Sequence, residues 1–231
     1  MFIISEISPQ FHGDLEIAEQ MILQSKLYGA NAVKVQLYEE DQFGIERSYL
    51  SMKYEELKSL KSYADSLKIP LFATPFTSER LKWCLDLNLK YLKVAARMHK
   101  EMPDLTKEIL EENITTFVSI PSDMDENSIT IYENAIYLYC IVKYPTRIDE
   151  VSIPNFKNSI FKGISDHSIG NSAALFASAM GAKYLEKHFT LRNSNQFITE
   201  QAHLGAMTMN DLNEINNTTR EFEIIANNHK K

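Results

Sequence analysis

Cysteine is almost missing: Cys84 and Cys140 are the only two, far apart and without metal-type spacing. The chain offers neither a disulfide framework nor a thiolate metal knuckle, and each cysteine reads as a buried, reduced thiol in a cytoplasmic protein. No run of Lys or Arg occurs, and the formal net charge is −7 at pH 7. Nucleic acid and anionic membrane are therefore not expected as partners, whereas a local basic pocket for a small anion is compatible with that balance. No apolar run is long enough to span a membrane. The opening MFIISEISPQ lacks a basic segment and meets Glu6 early, so it reads as a strand rather than a secretion signal. Also missing are an internal repeat, a low-complexity segment, a linker, and a Gly-rich phosphate loop after the first strand.

What is present is an ordinary globular composition, 44% hydrophobic and 24% charged over 231 residues. That suits one domain of the larger kind, 1–231, with 226–231 as a tail. Short apolar, β-branched runs recur at 2–7, 32–37, 71–74, 91–96, 115–120, 135–142, 164–167 and 184–189, and each predicts a buried strand. Helical spacing fills most of the gaps: 15–28 behind the cap Asp14 and before Gly29, 54–67 before Pro70, a helix capped by Ser78, 102–112, the segment after the seventh strand, and a last helix capped by Thr208 or Asn210. The connections at 125–133 and 149–160 hold only short helical or irregular structure. Eight strands alternating with helical segments predict a (β/α)8 TIM barrel with right-handed crossovers. An open doubly wound sheet is the alternative, weakened by the missing glycine loop.

Barrel chemistry sits at the C-terminal strand ends. The polar residues there are Glu6, Lys34, Gln36, Thr74, Lys93, Ser119, Lys143, Tyr144, Ser165, His167, Glu186 and His188. Charged groups are almost never fully buried without a partner, so Glu6, Lys34, Lys93 and Glu186 inside apolar strands point to one polar pocket rather than to scattered ion pairs. His167 beside Asp166 and His188 near Glu186 close adjacent strands, which predicts that all four meet there. Paired imidazoles with carboxylates suit a divalent first-row metal such as Mn²⁺, Zn²⁺, Fe²⁺ or Co²⁺. Two lysines among Thr74, Ser119 and Ser165 suit a phosphate or carboxylate ligand. Each residue also has a plain structural reading, as a hydrogen-bonded strand end or a core ion pair. His99, His203 and His229 are taken as surface residues.

The segments IISE, AVKVQ, FATPF, YLKVAA, YCIVKYPT, GISDHSIG and YLEKHFT, in this order at successive strand ends, resemble the barrel domain of the sialic acid (N-acetylneuraminate) synthase family. The resemblance runs from Phe2 to about Leu191, and SDHSIG followed by EKHFTL is its most specific part. It implies condensation of phosphoenolpyruvate with an open-chain acylamino sugar, giving a nonulosonic acid and phosphate. C3 of the enol phosphate attacks the aldehyde, water adds at C2, and phosphate leaves by C–O cleavage. It further implies a divalent metal, usually Mn²⁺, on His167 and His188. Lys34, Thr74, Lys93, Ser119 and Ser165 would hold phosphoenolpyruvate, Glu6 and Glu186 would serve as catalytic carboxylates, and Gln36 and Tyr144 would line the pocket. A homodimer is a further expectation.

Several positions depart from that pattern. Gln10 and His12 stand where the family has an Asn-His-Asn-Gly segment and are expected to take over sugar contacts. Ala96 stands where a serine would help bind phosphate, a loss of about 1–3 kcal/mol for one hydroxyl. Val142 replaces a pocket asparagine. Glu200 is the only acid after the last strand that can take the role of the family's aspartate, and it brings His203 into consideration. Relatives usually continue into a small antifreeze-like domain, whereas this sequence ends after the expected last barrel helix. These departures leave two other readings open: a silent barrel that binds a sugar or phosphate ligand, and a different metal-dependent aldolase or lyase of sugar acids.

Overall fold

The computed structural model describes residues 1–40, 42, 45–192 and 203–228. Eight parallel strands close into a barrel in sequence order: β1 (Phe2–Glu6), β2 (Ala32–Leu37), β3 (Leu71–Pro75), β4 (Leu92–Val94), β5 (Thr116–Pro121), β6 (Ala135–Cys140), β7 (Gly163–Asp166) and β8 (Tyr184–His188), with β8 pairing back onto β1. The outer helices are α1 (Leu15–Leu27), α2 (Tyr54–Ser66), α3 (Ser78–Asp86), α4 (Met98–Glu101), α5 (Pro103–Glu111), α6 (Ser172–Ala179) and α7 (Met209–Asn228). The connections from β5 to β6 and from β6 to β7 carry 3₁₀ turns, at Glu126–Ser128 and Ile148–Glu150, in place of α-helices. The expected TIM barrel is therefore the observed fold. No helix among the described residues is long and apolar enough to cross a membrane.

Local chemistry sets the helix ends. Asp14 accepts from the backbone N–H of Glu16 and Ile17 at 2.9 and 3.2 Å and caps α1. The cap of α3 is Thr77, not the expected Ser78: Thr77 Oγ1 accepts from Arg80 N at 3.2 Å, and Ser78 is already helical. The expected helix 102–112 is observed as α5, where Pro103, having no N–H to donate, occupies the first turn; the short α4 before it is a separate turn. Thr208 and Asp211 cap α7 reciprocally, the Thr208 N–H donating to Asp211 at 2.7 Å.

Strand alternation builds two separate cores. Ile3, Val33, Val35, Ala73, Leu92, Val94, Val118 and Ile120 face the helices. The other parity faces the barrel axis, where Ile4, Ala32, Phe72, Phe117 and Leu138 are packed with Phe2, Tyr91 and Tyr184. Five of these rings, Phe2, Phe72, Tyr91, Phe117 and Tyr184, contact one another at centroid distances of 5.4–6.1 Å and plug the N-terminal end of the barrel. One layer up, the same inward parity carries Glu6, Lys34, Thr74, Lys93, Ser119, Ser165 and Glu186.

Gly163 on β7 is paired with Tyr184 on β8. A Cβ there would stand 1.9 Å from the Tyr184 carbonyl oxygen, a backbone atom that cannot swing aside. Gly163→Ala is expected to destabilise the fold by at least about 1–3 kcal/mol, the range for overpacking. An unchanged midpoint in a urea titration would refute this.

Candidate active site

The polar layer opens at the C-terminal end into a cavity of about 360 Å³. Glu6, Lys34, Gln36, Lys93, Ser119, Tyr144, Ser165, His167, Glu186 and His188 all line it. Register explains the gathering, since Glu6 is paired with both Lys34 and His188, and Ser165 with Glu186.

One side of the cavity is cationic. Lys34 forms a buried ion pair with Glu6, donates to Thr74 Oγ1 at 3.2 Å, and lies 3.9 Å from Glu186. Glu6 also accepts from the Ser8 N–H at 2.7 Å and Gln36 Nε2 at 3.2 Å. Lys93 donates to Ser119 Oγ and the Val94 carbonyl, both at 2.8 Å, and lies 3.8 Å from Glu186. Burial alone would lower the Lys34 pKa, but the Glu186 and Glu6 carboxylates outweigh it and hold the ammonium charged. Lys93 has less compensation, and burial brings it down to about 8. Burial raises Glu6, against the pull of Lys34, whereas Lys34 and Lys93 outweigh burial at Glu186 and lower it. The two carboxylates are thus driven apart, the pattern that separates a proton carrier from a standing charge.

The other side carries imidazoles. His167 and His188 have ring centroids 6.0 Å apart, and His203 packs edge-on against His188 at 4.3 Å. The Tyr144 ring lies 3.9 Å from that of His167. His167 Nδ1 donates to the Ile141 carbonyl at 3.0 Å, and His188 Nδ1 donates to Gln10 Oε1 at 3.3 Å. These bonds fix both tautomers and leave each Nε2 as a lone pair. Burial pushes His167 and His203 down to about 4 and His188 well below the usual imidazole range, so all three are neutral at physiological pH. Glu186 Oε2 is buried without a hydrogen-bond partner. Two oriented, neutral imidazoles beside an unsatisfied carboxylate oxygen form a donor set that fits a divalent cation. Among the described residues no three His, Cys, Asp or Glu side chains are grouped so as to hold a metal ion by themselves. Further coordination positions would fall to solvent or substrate, as in open catalytic sites. Burial pushes the Cys140 thiol on the same wall up to about 12, which keeps it a thiol rather than a thiolate ligand.

Several expected residues stand elsewhere. Thr74, Gln10 and His12 do not line the cavity. Thr74 reaches it through Lys34, and Gln10 through His188. His12 is half-buried in left-handed backbone, φ 53°, in the first loop. Asp166 is not in the pocket, because alternation turns it to the other face of β7, where it pairs with Lys187 at 2.7 Å. Lys143 pairs with Glu150 on the surface. Val142, by contrast, does line the cavity, at its rim beyond β6 and 50% exposed. Glu200 and His229 lie outside the described residues.

Conversely, Tyr38, Phe76, Ala96, Arg97 and His203 line the cavity. The surface reading of His203 is thus corrected, since the stretch before α7 folds back over β8, with Phe189 bridged to Met207. His99, also read as a surface residue, is half-buried behind the cavity, with Nε2 3.1 Å from the Ser119 carbonyl. Arg97 was findable as the first cation after the fourth strand.

A profile of the NeuB family matches residues 21–231. The uncharacterized protein MJ1065 of Methanocaldococcus jannaschii is 31% identical over 209 residues, 82% of this chain and 62% of that protein. The N,N'-diacetyllegionaminic acid synthase of Legionella pneumophila is 25% identical over 268 residues, 100% of this chain and 74% of the synthase. A pseudaminic acid synthase of Campylobacter jejuni is 28% identical over 228 residues, covering 84% and 66%. The chain thus spans about three-fifths to three-quarters of these relatives' lengths. Among solved structures, the sialic acid synthetase of Leptospira borgpetersenii in complex with citrate superposes with a TM-score of 0.87 at 25% identity, covering 97% of this chain and 84% of that one.

Proposed function

Since this chain belongs to the NeuB family, we propose that it condenses phosphoenolpyruvate with an acylamino aldose, of the N-acetylmannosamine kind, to a nonulosonic acid and phosphate. The observation that carries this reading is a single cavity with a cationic, hydroxyl-bearing side facing two oriented neutral histidines.

In this reading Lys93, Ser119, Ser165 and Lys34 bind the phosphate and carboxylate of the donor, with Thr74 holding Lys34 in place. His167 and His188 hold a divalent metal, with Mn²⁺ as the first choice to test, whose chemistry when bound is Lewis-acid polarisation of the aldehyde oxygen. Gln10 and the Ile141 carbonyl keep the two rings turned for that task. C3 of the donor then attacks the aldehyde carbon, and the electron deficiency left at C2 is met by water. Glu186, ionised and with Oε2 unpartnered, takes the proton that this water sheds. Glu6, whose pKa burial raises, is the proton carrier for the new hydroxyl. Tyr144 closes the rim beside His167. Phosphate departs by C–O cleavage, so all atoms of the donor are accounted for in product and phosphate.

Incubation with phosphoenolpyruvate, Mn²⁺ and a panel of acylamino aldoses is expected to release phosphate only when metal and a sugar are both present. Absence of turnover across the panel would overturn the reading, and pyruvate release from a sugar acid without phosphate would favour an aldolase.

A further inference from the structure

His167 and His188 stand where the pairing of their strands stops. The β7–β8 ladder runs from Gly163 and Tyr184 to Asp166 and Lys187, and ends one residue short of both rings. His188 is still held from β1, by its register with Glu6 and by the Phe189 N–H donating to the Glu6 carbonyl at 2.8 Å. His167 lies beyond the last residue of β7. Side chains take over there, on the face of the sheet turned away from the cavity. Lys187 Nζ reaches across and donates to Asp166 Oδ2 and to the Ser168 carbonyl, both at 2.7 Å. Asp166 Oδ1 accepts from the Ser168 N–H at 2.8 Å. The residues on both sides of His167 are thereby fastened to the residue that precedes His188. The His167 carbonyl itself accepts from the Thr146 N–H at 3.0 Å.

A buried ion pair is a weak source of stability, because taking two charges out of water costs about what their attraction returns, and its best-attested use is to fix register. Asp166 and Lys187 are both buried and neither lines the cavity, so they offer nothing directly to a ligand there. What they can pass on is geometry. Two imidazoles share one ion only while their free Nε2 atoms are held a set distance apart, since metal–nitrogen bonds are short, about 2.0–2.1 Å for zinc. We propose that Asp166 and Lys187 are positioning residues: their ion pair sets the separation of the His167 and His188 rings, 6.0 Å between centroids, and through it the affinity of the cavity for a divalent cation. This rests on the metal reading of the cavity under the proposed function.

The test compares wild type with Asp166→Asn combined with Lys187→Met, which strands no charge and leaves the net charge unaltered. A second double variant, Asp166→Asn with Lys187→Gln, keeps a neutral donor and acceptor at the two positions. Each protein is unfolded in urea, titrated calorimetrically with Mn²⁺ alone, and, free of metal, examined by heteronuclear NMR for the imidazole N–H signal of His167. The first variant is expected to stay folded and to bind Mn²⁺ about 10- to 100-fold more weakly, the usual effect of losing a group that holds a metal ligand in place. It is also expected to lose the protected Nδ1–H signal that the bond to the Ile141 carbonyl gives His167. The second variant is expected to recover part of both, and decides in place of the first if that one does not fold. Wild-type Mn²⁺ affinity in a folded variant overturns the assignment, and so does weaker binding with the His167 signal intact. A wild type that binds no Mn²⁺, beside a variant that still loses the His167 signal, sinks the metal reading and leaves the positioning role standing. No binding by wild type and an unchanged signal in the variant sink both.

Discussion

In the proposed reaction, a His188→Ala variant is expected to lose the divalent metal and at least about 10³-fold of turnover, because Lewis-acid polarisation is worth several kcal/mol and each 1.36 kcal/mol is a factor of ten. The argument rests on orientation. His188 Nδ1 is committed to Gln10 and His167 Nδ1 to the Ile141 carbonyl, so the donor set consists of two prepared Nε2 atoms. Removing His188 leaves His167 as the single imidazole oriented in this way near Glu186, too few fixed donors to retain an ion against dialysis. The fold is expected to survive, because His188 closes a strand whose pairing to β1 is made by backbone. The measurements are metal content after dialysis in metal-free buffer, thermal unfolding, and phosphate release. A folded variant with undiminished metal content would remove His188 from the site.

Lys34→Met is expected to cost about 3–5 kcal/mol of stability, the usual penalty for stranding one member of a buried ion pair. Lys34 and Glu6 are both almost completely buried, and Lys34 also stands near Glu186 and Thr74. Without the ammonium, burial and the Glu186 charge are opposed by the Ser8 N–H bond but no longer by Lys34, and the Glu6 pKa climbs further than in wild type. A carboxyl whose folded pKa lies above its unfolded value contributes stability below the unfolded pKa and loses it as pH rises through the folded one. The deficit of Lys34→Met should therefore be smallest in acid and largest at neutral pH, and adding Glu6→Gln should recover much of it. A denaturant series at pH 5 and 8 decides this, and an equal deficit at both pH values would contradict it.

The barrel was legible because its eight strand runs are short and β-branched, and buried parallel strands read as continuous apolar segments. The inward polar layer was legible for a related reason. Glu6, Lys34, Lys93 and Glu186 break apolar strands, and a charge there needs a partner. Alternation, applied strictly, would also have excluded Asp166, one residue out of step with Ser165 and His167. Two features of the site stayed hidden. Gln10 was expected as a sugar contact, but its link to His188 spans 178 positions of sequence through a loop-to-strand hydrogen bond that no local pattern encodes. His203 and Arg97 lie outside the strands, where side-chain direction depends on how the chain folds back over the rim. The cap at Thr77 shows the same limit at smaller scale, since the neighbouring hydroxyls of Thr77 and Ser78 compete and only geometry picks one.

The aromatic plug at the foot of the barrel has a kinetic meaning. With Phe2, Phe72, Tyr91, Phe117 and Tyr184 packed ring on ring, the described residues close the foot of the barrel behind the cavity. In the proposed reaction both reactants and both products then share a single doorway. The compound seated on the buried lysines has to arrive before the one that lies above it, and the upper product has to clear before the lower can go. A queue of this kind makes the order of binding a property of the architecture, and an excess of the later arrival would block the door to the earlier one.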